Sequence, residues 1–274
     1  MSVKAESAIN FMSDKQIIGL HDWFQTAPGR YLLAWEQAQL DLAVADIFGF
    51  HALQLGMGEL DALAANRMPH RWLATDSFQS GAAIVTDFSA LPFAANSLDL
   101  VVLPHSLELT PDPHTTVREV ERVLVPEGRV VICGLNPVSL WGLRQHRAHL
   151  YHRLGLGELF PPQPQFIGYR RLRDWLRLLG FEVEVGRFGC YRPAFSAERW
   201  LQRFEWMDRA GARWWPILGA VYFLVAVKRV RSVTLLPAWT TSLGLTSAPV
   251  SVANSATLTR ANALNEKVEH VERF

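Results

Sequence analysis

A doubly wound, mostly parallel α/β sheet is the architecture this sequence predicts, and three observations carry the prediction. Short apolar, β-rich runs recur at 51–55, 71–74, 83–85, 98–103 and 129–133. Between them lie segments with helical spacing or turn residues, the alternation expected of parallel strands joined by crossovers. Residues 91–134 hold one complete unit: a strand, a Pro111-Asp112-Pro113 break, an amphipathic helix and a second buried strand. Two apolar strands joined by one helix pair in parallel through a right-handed crossover.

The elements follow in chain order. Residues 1–15 are polar, and 1–48 form a helical prelude in which Ala27-Pro28-Gly29 reads as a turn. After it, Leu32, Trp35, Leu40, Val44, Ile47 and Phe48 recur at mixed three and four spacing, which predicts a helix that packs on the sheet or lids a cleft. The first strand ends at Gly56-Met57-Gly58. A helix over 59–67 follows, with Leu60, Leu63 and Ala64 on one face and Pro69 as its stop. The second strand ends at Thr75-Asp76, the third at Thr86-Asp87-Phe88 and the fourth at Pro104-His105-Ser106. In the helix over 114–124, Val117, Val120, Val123 and Leu124 share a face, and Pro126-Glu127-Gly128 ends it.

Beyond Gly134 the texture changes. Residues 136–178 are rich in arginine and aromatics, with seven Arg between 144 and 177 against Glu158 and Asp174. A lid whose aromatics pack while guanidinium heads reach water fits this pattern; so do an anionic acceptor and an RNA phosphate. A helix over 170–179 closes at Gly180, residues 181–188 alternate as a half-exposed strand, and 197–210 reads as one helix. The apolar run 214–227 contains Pro216 and Gly219 and is too short to span a bilayer, so a buried strand after a short turn is expected. Residues 49–231 thus make the domain. Residues 232–274, rich in Ser, Thr, Ala and Asn, read as a disordered tail.

Composition narrows the function classes. The 274 residues carry a formal net charge of +1, so no global bias marks the chain for nucleic acid or anionic membranes. There is no secretory signal pattern at the N-terminus, and the two cysteines, Cys133 and Cys190, lie far apart; a reducing, cytoplasmic setting is expected.

In a doubly wound sheet, ligands bind beyond the carboxyl ends of the strands, where strand order reverses. Gly56 and Gly58 would let backbone approach a ligand there. Asp76 suits the two hydroxyls of a ribose, and Asp87 with Phe88 offers a carboxylate and an aromatic face for an adenine. As turn or capping residues the two aspartates have a second reading. His105 reads either as a hydrogen-bonded loop residue or as a general base, with Glu108 three residues on.

The stretch TDFSALPFAANSLDLVVLPHSLE followed by DPHTTVREVERVLVPEGRVVI resembles the class I S-adenosylmethionine-dependent methyltransferases, specifically the methyltransferase type 11 group. It is similar to that family's acid-x-x-x-LPF segment, its S-x-D-L-V-V strand and its REV-x-RVL-x-P-x-G helix and turn. The resemblance spans about 85 residues and implies a Rossmann-like fold closed by an antiparallel hairpin from 181–188 and 221–229. It implies S-adenosyl-L-methionine as cofactor, with Gly56 and Gly58 beside its methionine moiety and Asp76 on its ribose. Asp87 and Phe88 would contact its adenine, and His105 would face the transferring methyl, with Glu108 second. The expected activity is methyl transfer to a small-molecule acceptor, with nucleic acid not favoured. Two departures are local: Gln54 replaces the family's acid two residues before Gly56, and Glu59 replaces a third glycine. They motivate an alternative, a non-catalytic binding protein on the same fold with a weakened cofactor site.

Overall fold

The computed structural model describes residues 23–78, 81–146, 166–195 and 198–229. All belong to the first of two units, Met1–Arg231. Seven strands make one sheet: β1 (His51–Leu55), β2 (His70–Thr75), β3 (Ile84–Val85), β4 (Leu98–Pro104), β5 (Leu124–Leu135), β6 (Phe181–Gly189) and β7 (Val221–Lys228). Their order is β3-β2-β1-β4-β5-β7-β6. The first five pair in parallel, and β7 runs antiparallel to both β5 and β6. Strand order reverses between β1 and β4, which places the ligand crevice above their carboxyl ends.

Alternation along the strands feeds two cores. Ala52, Leu100, Val102 and Val131 face one layer, while Leu53, Leu55, Val101, Leu103 and Val130 face the other. A strand buried on both sides is apolar at nearly every position, which is why β7 is apolar up to Lys228 and β4 is interrupted only at Asp99. The first layer is covered by α1 (Ala27–Val44), which contributes Leu32, Leu40 and Val44. The second is covered by α3 (Pro113–Val123), with Val117, Val120 and Val123, and by α5 (Tyr169–Leu178), with Leu172 and Leu176. Gly180 closes α5 at a φ of +85°, the left-handed position that favours glycine.

Shorter pieces complete the order: α2 (Ser106–Leu109), α4 (Leu140–His146), α6 (Glu198–Arg203), α7 (Trp206–Trp214) and a 3-10 turn, Pro216–Leu218. The run 214–227 resolves as that turn followed by the buried strand β7, as expected. Among the described residues, no helix is long and apolar enough to cross a membrane. Cys133 and Cys190 are both free and buried.

Four elements differ from the sequence reading. Ala27-Pro28-Gly29 is the first turn of α1, not a separate turn: Thr26 caps it by accepting from the Gly29 N–H at 3.3 Å, and proline is tolerated there because its missing N–H would have no helical partner. Leu124 opens β5 instead of closing α3, because it pairs with Leu98 across the β4 edge, so Pro126-Glu127-Gly128 lies within β5. The expected helix over 197–210 divides into α6 and α7. The break falls at Phe204-Glu205, and Asp208 in the first turn of α7 ties that helix to the rest of the fold by accepting from the Tyr31 hydroxyl, the Tyr191 N–H at 3.2 Å and Arg192 Nε at 2.8 Å. Residues 59–67 form turns, for a reason that belongs to the site. The polar start, residues 147–165 of the insertion and the 232–274 tail lie outside the described residues.

Candidate active site

Parallel pairing brings three of the expected residues to one edge. Leu55 aligns with Ala74, and Ala74 and Thr75 with Ile84 and Val85. The Gly56 N–H donates to Ala74 O at 2.7 Å and the Thr86 N–H to Thr75 O at 2.8 Å. Gly56, Asp76 and Asp87 therefore emerge side by side from β1, β2 and β3. Both aspartates are exposed. Asp87 also accepts from the Ser89 N–H at 2.8 Å, so its side chain is held by a local turn. Gly56 has a φ of +71°, and a Cβ there would sit 3.1 Å from Ser106 Oγ, so the backbone must pass close to the β4 end. Phe88 is not an open aromatic face. Its ring is buried in the second core and packs under Gly56, 5% exposed.

Gln54 organises the loop after β1. Its amide nitrogen donates to Met57 O at 2.8 Å and Leu60 O at 2.7 Å, with Gly56 O at 3.3 Å, and its oxygen accepts from the Ala62 N–H at 2.9 Å. These bonds hold carbonyls that a helix over 59–67 would direct along its axis, and the segment is left as turns. They also orient the loop. In a trans peptide the C=O and the next N–H point in opposite directions. With the Gly56 and Met57 carbonyls drawn inward, the Met57 and Gly58 N–H groups turn away from Gln54. A carboxylate at position 54 could accept from Ala62 but could donate to none of these carbonyls.

At the end of β4, His105 takes a left-handed φ of +53° and is 1% exposed. The helical turn α2 forms and brings His105 and Glu108 together, with Nδ1 2.8 Å from Glu108 Oε2. Glu108 Oε1 accepts from the Leu135 N–H, which ties this turn to β5. The other ring nitrogen, Nε2, lies 2.9 Å from Oε1 of Glu36, a fully buried residue of α1. The two do not meet in hydrogen-bond geometry, so both Glu36 oxygens are buried without a hydrogen bond. Burial alone would strip the proton from His105, but the facing carboxylates of Glu36 and Glu108 outweigh it and push the imidazole up to about 10. With both nitrogens facing carboxylates, the ring has no lone pair to offer a substrate proton in neutral solution. A general-base role does not follow from its place in the fold.

Glu36 is a buried acid that no motif marks. Its signal was there: Leu32, Glu36, Leu40 and Val44 recur every four residues, so a carboxylate sits inside the buried stripe of α1.

A family model described as a methyltransferase domain matches residues 53–132. The uncharacterized protein YafS of Escherichia coli K12 is 30% identical over 203 residues, covering 73% of this chain and 78% of YafS. Among solved structures, a chain of the complex between the Haloferax volcanii Trm112 methyltransferase activator and a methyltransferase aligns with a TM-score of 0.53 at 18% identity, over 79% of this chain and 99% of that one. A SAM-dependent methyltransferase from Archaeoglobus fulgidus aligns with a TM-score of 0.51 at 17% identity, over 72% and 94%. These two share the fold. The family-model match, together with this fold and strand order, places the chain among the class I S-adenosylmethionine-dependent methyltransferases, type 11 group.

Proposed function

We propose that the chain transfers a methyl group from S-adenosylmethionine to a small-molecule acceptor, with the cofactor laid across the ends of β1, β2 and β3. The observation that carries this reading is the alignment of Gly56, Asp76 and Asp87 on three adjacent strand ends. The residues fit the group. Asp76 suits the ribose hydroxyls and Asp87 the adenine amino group, with Phe88 supporting that end from the core. The outward Met57 and Gly58 N–H groups suit a carboxylate, so Gln54 serves the methionine end by shaping the loop. When bound, the cofactor supplies an electrophilic methyl on a sulfonium.

In-line displacement depends chiefly on alignment, and a base is needed only where the acceptor must lose a proton. His105 and Glu108, with Glu36, act here as positioning residues. They pin the β4 end to α1 and to β5, beside Gly56. An acceptor that is already nucleophilic, or that loses its proton to water, suits a site whose histidine stays protonated.

Calorimetry with S-adenosylmethionine and S-adenosylhomocysteine tests the reading. Asp76→Ala will weaken binding at least about tenfold, roughly 1.4 kcal/mol for the lost hydrogen bonding to ribose. Unchanged affinity in that variant would show that the β2 end does not hold the cofactor. No heat with the unsubstituted protein at near-millimolar ligand would favour the alternative, a non-catalytic binding protein on this fold.

A further inference from the structure

We propose that the cavity bounded by α5, the ends of β5 and β6 and the 3-10 turn receives the acceptor, and that Arg170 and Arg173 hold an anionic group on it. The acceptor class is a small molecule with an apolar, ring-sized body and a carboxylate or comparable anion. The word acceptor rests on the methyltransferase reading; the anion site does not.

The cavity has a volume of about 430 Å³, within the range of small-molecule sites. Its apolar wall is Val138, Tyr169, Phe188 and Ile217. Val138 and Ile217 are 64% and 55% exposed, an apolar lining with an evident use if a ring covers it. The wall is fixed. Tyr169 packs edge-on against Phe188 with centroids 5.1 Å apart. Asn136 donates to Ile217 O at 2.7 Å and Gly219 O at 2.8 Å while accepting from the Val138 N–H at 3.1 Å.

The charge is one-sided. Arg170 and Arg173 line the cavity, and among the described residues no acidic one does. The acids of the neighbouring strands are matched elsewhere, Glu184 with Arg129 and Glu182 with Arg229, and on α5 itself Asp174 is exposed and forms no ion pair with either arginine among the described residues. Among the described residues, no ion pair takes up Arg170 or Arg173. Two exposed guanidinium groups at the edge of an apolar pocket recognise an anion in a fixed orientation.

The position suits the chemistry. Pro104 aligns with Cys133, Gly134 with Tyr222, and Tyr222 with Phe188, so His105 and Phe188 share a row of the sheet. Three strand spacings of about 4.8 Å put Phe188 roughly 14 Å from His105. Asn136, only two residues past Gly134 on the strand next to β4, is the near wall. The cavity thus opens on the same edge as the cofactor ends, on the side away from β2 and β3.

The test uses 1-naphthoate and 1-naphthamide, nearly isosteric probes that differ in charge, titrated by ligand-observed NMR into the full chain. The naphthoate is expected to bind at least about tenfold more tightly, and Arg170→Gln with Arg173→Gln to bring the two within about twofold at an unchanged unfolding midpoint. Ile217→Ser is expected to weaken both probes alike. Equal binding of the two probes, no binding of either, a preference that survives the double arginine substitution, or indifference to Ile217→Ser would each overturn the proposal. S-adenosylmethionine is titrated into the same samples. If it does not bind while the naphthoate preference holds, the methyltransferase reading fails and the anion site stands.

Discussion

Replacing Gln54 with glutamate restores the acid that the family usually carries two residues before its first glycine, yet the structure predicts that the protein will be harmed by it. Gln54 is 3% exposed, and its amide makes two short bonds, to Met57 O at 2.8 Å and Leu60 O at 2.7 Å. An ionised carboxylate in its place has no donor for either. Leu60 O is left without a partner, which costs about 1–3 kcal/mol; Met57 O keeps only the long bond from the Leu60 N–H at 3.5 Å, and its weakening and repulsion from the new charge add to that. The protonated carboxyl regains one donor, so its pKa in the folded Gln54→Glu variant will lie above the unfolded value of about 4.3. The sign follows from linkage: the charged form is the disfavoured one, so the deficit is smallest near pH 4.3 and grows as pH rises through the shifted value. Urea unfolding at pH 5 and pH 8 measures it, with the midpoint lowered more at pH 8 at unchanged slope. A pH 8 stability within about 0.5 kcal/mol of the unsubstituted protein would refute the reasoning, as would equal deficits at both pH values.

Two further predictions concern buried groups. His105 gains its proton affinity on folding, so its contribution is fully present below about pH 6.5 and is lost as pH rises through about 10. Unfolding free energy should fall across that window, and Glu36→Gln should move the fall to lower pH; an imidazole found neutral by NMR at pH 8 would contradict this. Gly134→Ala would place a Cβ into the hydroxyl and ring of Tyr222, which is 1% exposed and cannot move aside. A loss of about 1–3 kcal/mol is expected in thermal unfolding, partly recovered by adding Tyr222→Phe; no loss would mean the two do not meet.

Local pattern made much of the fold legible. Within residues 91–134, β4 and β5 read as apolar runs on either side of α3, whose apolar residues recur at helical spacing, and the structure keeps all three elements. The same segment carries the family resemblance, and the Gly56, Asp76 and Asp87 ends could be ordered along the chain from it. Residues 59–67 show where such reasoning stops. Leu60, Leu63 and Ala64 have helical spacing, but the Gln54 amide binds the carbonyls of residues on both sides of the turn.

The sequence by itself determined the strand order's raw material: which runs are apolar, where they end, and which acids and glycines stand at those ends. Only the tertiary structure decided what His105 is. Its neighbour Glu108 lies one helical turn away and could be paired with it from spacing. Glu36 lies 69 positions earlier on another element, and it reaches the ring only because α1 packs over the β4 end. Protonation depends on the sum of charges within a few ångströms and on the water excluded from them. Neither quantity is written in local pattern; both are set by which faces the core brings together.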